Sequence, residues 1–237
     1  MAGIGTLVNT AAVIIGGLIG ILCKRGLSQR FQDTIMQANG LAVIFIGITG
    51  ALEKMVNVSG SSISTEGTIM ATICLAIGAV LGEAINIEEK FERFGAWLKV
   101  KAGRQKDSKF IEGFVMTTLT ICVGAMAIIG PIQDGLSHDP SMLFTKALLD
   151  GIIVAVFAAG FGIGAIFAAI PLFVFQGVIT LFAGAIEPFM TEAMIDNISM
   201  VGSMLIFCVG VNLFLNAKIK VANMLPALVA VVVYTIL

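Results

Sequence analysis

Apolar residues run along the chain in eight stretches of near-membrane length, and short polar segments separate most of them. The stretches cover residues 3–23, 35–52, 68–87, 113–132, 147–168, 170–187, 195–216 and 222–237. A helix needs about 20 mainly apolar residues to cross a hydrocarbon core of about 30 Å. The pattern therefore predicts an all-α, polytopic transmembrane bundle of about eight spans that forms one domain over residues 1–237.

The boundary between the fifth and sixth stretches carries no polar loop, because residues 151–186 contain no charged side chain. A single helix of that length would be about 54 Å long, far more than a membrane core accommodates. The segment must fold back, and we predict the corner at Ala168–Pro171, since proline suits a helix start and not its interior. A full hairpin and a re-entrant segment both satisfy this argument.

Composition excludes a water-soluble fold, because 58% of the residues are hydrophobic, 12% are charged and the mean hydropathy is +1.03. A soluble domain carries about 25% charged residues. Disulfide scaffolds are also disfavoured. The four cysteines lie within apolar runs, where a thiol behaves as a small hydrophobic group; they are Cys23, Cys74, Cys122 and Cys208.

Basic residues give the predicted orientation, since Lys and Arg collect in cytoplasmic loops. With the N-terminus outside, all 14 basic residues except Lys54 and Lys146 fall on the inner side. The outer loops then carry an excess of acidic residues. Two interpretations remain open: this excess is the same rule seen from the outer face, or it forms a mouth that concentrates cations.

One predicted inner loop, residues 88–106 between the third and fourth stretches, has a helical pattern of its own. Ile87, Phe91, Phe94 and Leu98 recur at helical spacing, with acidic residues early and basic residues late. This predicts an amphipathic helix on the inner membrane surface. The simplest role for it is to anchor the loop to anionic lipid.

Polar side chains inside apolar stretches are costly, so they indicate either interhelical hydrogen bonds or contacts with a transported solute. We take eight residues as candidates for binding a solute or ion: Asn9, Asn39, Glu83, Gln133, Asp134, Asp150, Gln176 and Asn212. Alternatives exist for the two most informative carboxylates. Glu83 could simply lie at the interface, and Asp150 could pair with Lys146 at i, i+4 spacing.

Small residues recur every four positions in three stretches, as Ala12-Gly16-Gly20, Cys74-Gly78-Gly82 and Gly160-Gly164-Ala168. Such faces let helix backbones approach closely, although some of these glycines could instead mark unwound segments beside a solute site. Short echoes, such as residues 50–53 against 184–187, also lead us to hypothesise a four-plus-four internal repeat.

Several short sequence segments, spread along the whole chain, resemble those of a known family. They include Glu112-Gly113-Phe114-Val115, residues 122–128 and 132–135, and residues 221–228. On these residues the chain resembles the YqgA/YdfK-like prokaryotic integral membrane proteins, a family of unknown function. The resemblance implies a prokaryotic cytoplasmic membrane location and suggests a transporter, but it implies no binding residues. One departure is His138, where the family pattern leads us to expect glycine.

These observations favour a secondary transporter or channel for a small solute, with a cation as one option and a homodimer as the expected assembly. The alternative is a non-catalytic subunit or assembly factor that packs against another membrane protein. We expect no enzymatic activity, catalytic residue, cofactor or metal, because hydrolase and metalloprotease motifs are missing and His138 is the sole histidine. We also expect the partners to be lipid and solute, and not nucleic acid.

Overall fold

The computed structural model describes residues 2–24, 28–59, 62–124 and 126–237. Arg25, one of the predicted inner bases, lies outside these residues. In chain order the elements are α1 (Ile4–Lys24), α2 (Gln29–Met55), β1 (Val56–Ser59), β2 (Ser62–Thr65), α3 (Thr68–Ile85), α4 (Ile87–Lys101), α5 (Phe110–Cys122), α6 (Met126–Leu136), α7 (Ser141–Phe161), α8 (Ala169–Leu181), α9 (Ala183–Ile186), α10 (Glu192–Leu215) and α11 (Pro226–Ile236). Short 3₁₀ segments cover Ile163–Ala168, Glu187–Phe189 and Val221–Met224.

The all-α, polytopic architecture is confirmed. Within the described residues, six helical segments are long and apolar enough to cross a membrane, and the bent pair α5–α6 would make a seventh. The last apolar stretch is shorter and runs from Val221 to Ile236. Each predicted stretch thus coincides with helix, while the count of eight spans and the internal repeat stay predictions.

Two details differ from the predictions. The fourth stretch is not one helix, because α5 ends at Cys122, α6 begins at Met126 and the two helices meet at an angle of 60°. The corner at Ala168–Pro171 was also wrong, since the break falls at Gly162. Gly162 has φ +92°, a conformation that side chains with a Cβ rarely adopt. Pro171 instead lies in the first turn of α8, where its missing N–H leaves no helical bond unmade.

The helices form two compact units, of which the first comprises residues 1–39, 91–122 and 126–188. Its main feature is close packing of α1 against α7. A Cβ on Gly16 would collide with the backbone of Gly151, and one on Gly20 with the backbone of Ala155. The residue numbers rise together on the two helices, so α1 and α7 run parallel. The predicted glycine face of α1 is therefore a packing surface.

In the same unit, the 3₁₀ segment Ile163–Ala168 and α8 together run back along α1. Gly17 lies against Ile166 at one end, and Thr6 meets Thr180 at the other. Since α8 is antiparallel to α1, and α1 is parallel to α7, the uncharged segment forms a full hairpin and not a shallow re-entrant loop. Phe110, Phe114, Phe157 and Leu172 are fully buried in the core of this unit.

The second unit comprises residues 40–90, 123–125 and 189–237. Here α3 packs against the last apolar stretch: a Cβ on Gly78 would collide with Ala227, and one on Gly82 with the backbone of Asn223. The second predicted glycine face is therefore also occupied within the chain. The strands β1 and β2, which the sequence did not lead us to expect, form an antiparallel hairpin between α2 and α3.

The segment predicted as a surface helix over residues 88–106 is helical over Ile87–Lys101, as α4, and its ends match the charge pattern; its place on the inner membrane surface stays a prediction. Glu88 and Glu89 lie in its first turn, while Lys99 and Lys101 lie in its last. Its apolar face is divided: Leu98 is buried, whereas Trp97 is exposed. An exposed aromatic side chain beside late lysines is typical of a helix that contacts a lipid interface.

Candidate functional site

Three helices of the first unit bring polar side chains together in its interior. Asn9 comes from α1, Lys146 and Asp150 from α7, and Gln176 from α8. Asn9 and Gln176 are fully buried, and Lys146 and Asp150 are almost so. We call these four residues the buried polar centre. All four lie on helices that are apolar enough to span a membrane, so the protein places an ion pair and two amides where such groups are costly.

The ion pair forms along one face of α7. Lys146 Nζ lies 2.7 Å from Asp150 Oδ2 and 2.9 Å from Asp150 Oδ1. The same ammonium donates to the carbonyl oxygen of Ile121 at 2.8 Å. Ile121 is in the last turn of α5, whose carbonyls have no helical donor because the helix ends at Cys122. Lys146 thus compensates a buried carboxylate and also caps the broken helix.

The amides continue the network. Asn9 Nδ2 donates to Asp150 Oδ2 at 3.1 Å and to Gln176 Oε1 at 3.3 Å. The remaining atoms of the two amides, Asn9 Oδ1 and Gln176 Nε2, have no hydrogen-bond partner in the part of the chain that is described. Buried polar atoms are nearly always satisfied, so these two are the natural contacts for a molecule that enters the centre.

Asp134, a residue of α6, caps the N-terminus of α1. Its Oδ2 accepts a hydrogen bond of 3.0 Å from the backbone N–H of Gly5, in the first turn. The positive end of the helix dipole stabilises a carboxylate at this place. Asp134 is fully buried and its Oδ1 has no partner among the described residues. Gln133, its neighbour in α6, is half-buried.

Glu83 belongs to the second unit and has partners of its own. Its carboxylate lies 2.6 Å from Lys220 Nζ and 2.6 Å from Asn223 Nδ2. Both side chains of the ion pair are more than half exposed, at 58% for Glu83 and 56% for Lys220. We call Glu83 and Lys220 the surface pair. The hydrogen bond to Glu83, followed by its charge, raises the pKa of Lys220, so the pair stays ionised at neutral pH.

The other candidates have local roles or stand alone. Asn212 holds the segment after α10, because its Nδ2 donates to the carbonyl of Ile219 at 2.8 Å and its Oδ1 accepts from the Ile219 N–H at 2.9 Å. Asn39 is half-buried, and its Nδ2 has no partner among the described residues. Of the eight candidates, the structure therefore brings together Asn9, Asp150 and Gln176.

Sequence reasoning did not include Lys146 among the site residues. The fifth apolar stretch was predicted to start at residue 147, which put Lys146 in an outer loop. The helix begins at Ser141, so Lys146 is well inside it. The available signal was the i, i+4 spacing with Asp150, which indicates a pair but not its burial.

Comparison with known proteins identifies the family of this chain. A family model described as "Protein of unknown function (DUF554)" matches residues 4–236. The chain belongs to this family. It is 34% identical over 224 residues to the uncharacterized membrane protein YdfK of Bacillus subtilis (strain 168), covering 94% of this chain and 92% of that protein. It is 29% identical over 228 residues to the uncharacterized protein YqgA of Escherichia coli (strain K12), covering 95% and 93%.

No solved structure matches the chain. Membership of the family confirms the resemblance noted in the sequence, and together with the apolar helices it makes the chain a multi-pass membrane protein. The backbone at His138 is also of interest, because the sequence led us to expect glycine there. His138 has φ +56°, in the left-handed region that glycine adopts most easily.

Proposed function

We propose that this protein is a secondary transporter or channel for a small polar solute, and that the buried polar centre lies on the solute's path. The observation that carries the proposal is an ion pair and two amides, contributed by three helices, buried within segments that are apolar enough to span a membrane. Buried ionisable groups in such helices are expensive, and in membrane proteins they commonly mark pathways for substrates or ions.

The break between α5 and α6, whose last turn contacts the centre, supports the same function. The two helices meet at a bend of 60°. In many transporters, discontinuous helices expose backbone groups next to the binding site. Here the exposed group at the end of α5 is the Ile121 carbonyl, which Lys146 binds directly.

The remaining details of the proposal come from the sequence. The location is the prokaryotic cytoplasmic membrane, the N-terminus lies outside, and the assembly is a homodimer in a lipid bilayer. A cationic solute would be favoured by the acidic outer loops alone, because Lys146 already neutralises Asp150 in the centre. The alternative, an assembly factor that docks through its glycine faces, loses support because the faces of α1 and α3 pack within the chain.

The test is flux into proteoliposomes of phosphatidylethanolamine and phosphatidylglycerol that contain the purified protein. The probes are ²²Na⁺, ⁸⁶Rb⁺, and radiolabelled methylammonium, glycine, urea and acetamide. We expect flux of at least one probe above that of empty vesicles, reduced at least tenfold by Asp150→Asn. Glu83→Gln is the matched control, since it removes the carboxylate of the surface pair, and we expect it to change the flux less than twofold.

Folding of each variant is checked by gel filtration and circular dichroism. If Asp150→Asn is folded and carries the probe at the wild-type rate, the centre is not on the path. If no probe moves through the wild-type protein, the transport proposal fails for these solutes and the assembly-factor alternative gains weight. In that case a stoichiometric partner should copurify with the protein.

A further inference from the structure

The two amides of the buried polar centre have orientations that Asp150 imposes. A carboxylate accepts hydrogen bonds and cannot donate them, so the Asn9 group that faces Asp150 Oδ2 must be the amide NH₂ group, Nδ2. The same NH₂ group also faces Gln176, which must then present its Oε1 oxygen. Rotation of either amide by 180° would place like partners against each other. One buried charge therefore sets the polarity of both amides.

This polarity leaves one acceptor and one donor group without partners. Asn9 Oδ1 accepts, Gln176 Nε2 donates, and neither has a partner among the described residues although both side chains are fully buried. The bonded amide atoms are 3.3 Å apart, and oxygen and nitrogen within one amide are about 2.3 Å apart, so the two free atoms lie within about 8 Å of each other. A small molecule that carries an acceptor and a donor about 2.3 Å apart reaches two atoms separated by up to about this distance with two hydrogen bonds of about 2.9 Å.

Charge balance in the centre excludes an ion as the natural ligand of these two atoms. All three N–H groups of the Lys146 ammonium are used, two by Asp150 and one by Ile121. Asp150 in turn is matched by Lys146 and Asn9. The next buried carboxylate, Asp134, is not one of the four residues of the centre and accepts from the Gly5 N–H at the N-terminus of α1. Within the centre itself, an added cation or anion would meet no unmatched charge, and burying it would be costly.

We propose that Asn9 and Gln176 bind a small uncharged solute that carries both a hydrogen-bond acceptor and a donor, of the primary amide or urea class. The inference rests on the proposed function and specifies its substrate class. Asp150 acts as a positioning residue, because it orients the amides and does not touch the solute. Gln176 supplies the N–H groups for the solute's carbonyl, and Asn9 supplies the carbonyl for the solute's N–H.

The first test is stopped-flow light scattering of proteoliposomes with urea or acetamide as the osmolyte, alongside tracer flux of Na⁺ and methylammonium. We expect protein-dependent entry of urea and acetamide, reduced at least tenfold by Gln176→Leu, and no protein-dependent ion flux. Asn197→Leu is the matched control. Asn197 is an amide of the second unit that bonds to Thr235, and its loss should change solute entry less than twofold.

The second test is thermal unfolding in detergent, which does not depend on transport. Acetamide should raise the melting temperature saturably in the wild-type protein and not in Gln176→Leu. N,N-dimethylacetamide lacks an N–H group, so it should stabilise the wild type less. In Asp150→Asn the amides are no longer held in one orientation, and the preference for acetamide over the dimethyl analogue should disappear. A merely structural role of Asp150 would leave this preference intact.

The outcomes separate the inference from the function on which it rests. Flux confined to ions overturns the neutral-solute inference and leaves the transporter proposal standing. Protein-dependent water entry without solute entry also overturns the inference, because water then satisfies the amides alone. Absence of all flux removes the transporter proposal. The inference then depends on acetamide stabilisation, and it is overturned if Gln176→Leu responds as the wild type does.

Discussion

Among the lysine–carboxylate pairs of the described residues, Lys146–Asp150 and Lys220–Glu83 have nearly equal lengths, but their surroundings differ sharply. Lys146 and Asp150 lie 2.7 Å apart with side chains 9% and 5% exposed, whereas Lys220 and Glu83 lie 2.6 Å apart with side chains 56% and 58% exposed. Distance therefore says little about what a pair does. The burial of a pair determines how much free energy is lost when one of its two charges is removed. The neighbouring polar groups determine whether a ligand can bind beside the pair.

The partners of each pair show the same contrast. The surface pair belongs to a hydrogen-bond network that ends at a backbone group: Asn223 donates to Glu83 and accepts a hydrogen bond from the Glu88 N–H. These contacts join the end of α3 and the start of α4 to the segment that follows α10. The buried pair instead ends in two amide atoms without partners. The surface pair therefore holds the fold together locally, while the buried pair is the one that we propose to orient the two amides for a solute.

The largest expected effect is that of Lys146→Met on stability. The change leaves Asp150 buried without its cation and the Ile121 carbonyl without a donor, and we expect a loss of about 3–5 kcal/mol in the free energy of unfolding. Denaturant unfolding in detergent measures this loss. Lys220→Met is the control and should have a much smaller effect. The double change Lys146→Met/Asp150→Leu should recover most of the loss, and failure to recover it would contradict a charge-based cause.

The second largest effect is expected for Gly16→Ala, which tests whether close packing of α1 and α7 brings Asn9 next to Asp150. In Gly16→Ala, the added methyl group would collide with the Gly151 carbonyl, and we expect a loss of about 1–3 kcal/mol. The control is Gly177→Ala in α8, where no atom lies within 4 Å of the new Cβ. Equal stability of the two variants, measured by thermal unfolding, would show that the helices do not approach as described.

A smaller effect is expected at Asn212, which sharpens the comparison within the second unit. Asn212→Ala removes both hydrogen bonds to Ile219, and the loss should be about 1.5 kcal/mol. Asn57→Ala is the control, since Asn57 is exposed and makes one side-chain bond of 3.3 Å to Glu66. A solute-dependent melting temperature that disappears in Asn212→Ala would instead give Asn212 a place in the site.

The smallest effect is expected for Glu83→Gln. The glutamine keeps an oxygen for the amide of Asn223, and the exposed charge pair contributes little to stability because water screens it. The melting temperature should be indistinguishable from that of the wild type, and its response to 1 M NaCl should be unchanged. A large destabilisation would mean that the surface pair is buried in the assembled protein.

The sequence predicted much of this architecture because hydropathy reports the solvent of each segment directly. The ends of the helices were predicted less well. The corner at Gly162 and the bend between α5 and α6 lie within apolar sequence, where hydropathy does not distinguish a lipid-facing residue from one in the protein interior. The depth of Lys146 was missed for the same reason, since the helix starts six residues before the predicted stretch, at Ser141.

The candidate site was predictable in part. Asn9, Asp150 and Gln176 stood out as polar residues in apolar helices, and the structure brings them together. Glu83 and Asn212 stood out in the same way, yet they bond to Lys220 and Ile219. Sequence position could not separate the two groups. The distinction depends on which helices pack side by side, and Asn9 and Gln176, which meet in this way, are 167 residues apart along the chain.

The most direct test of the central claim is a double-mutant cycle on solute flux with Asn9→Ala, Asp150→Asn and the combined variant. If Asp150 acts through the amides of the buried polar centre, the residues work as one unit and the double variant loses no more flux than the more severe single variant. If the two losses multiply, Asn9 and Asp150 act independently, and the account of a single oriented site is wrong.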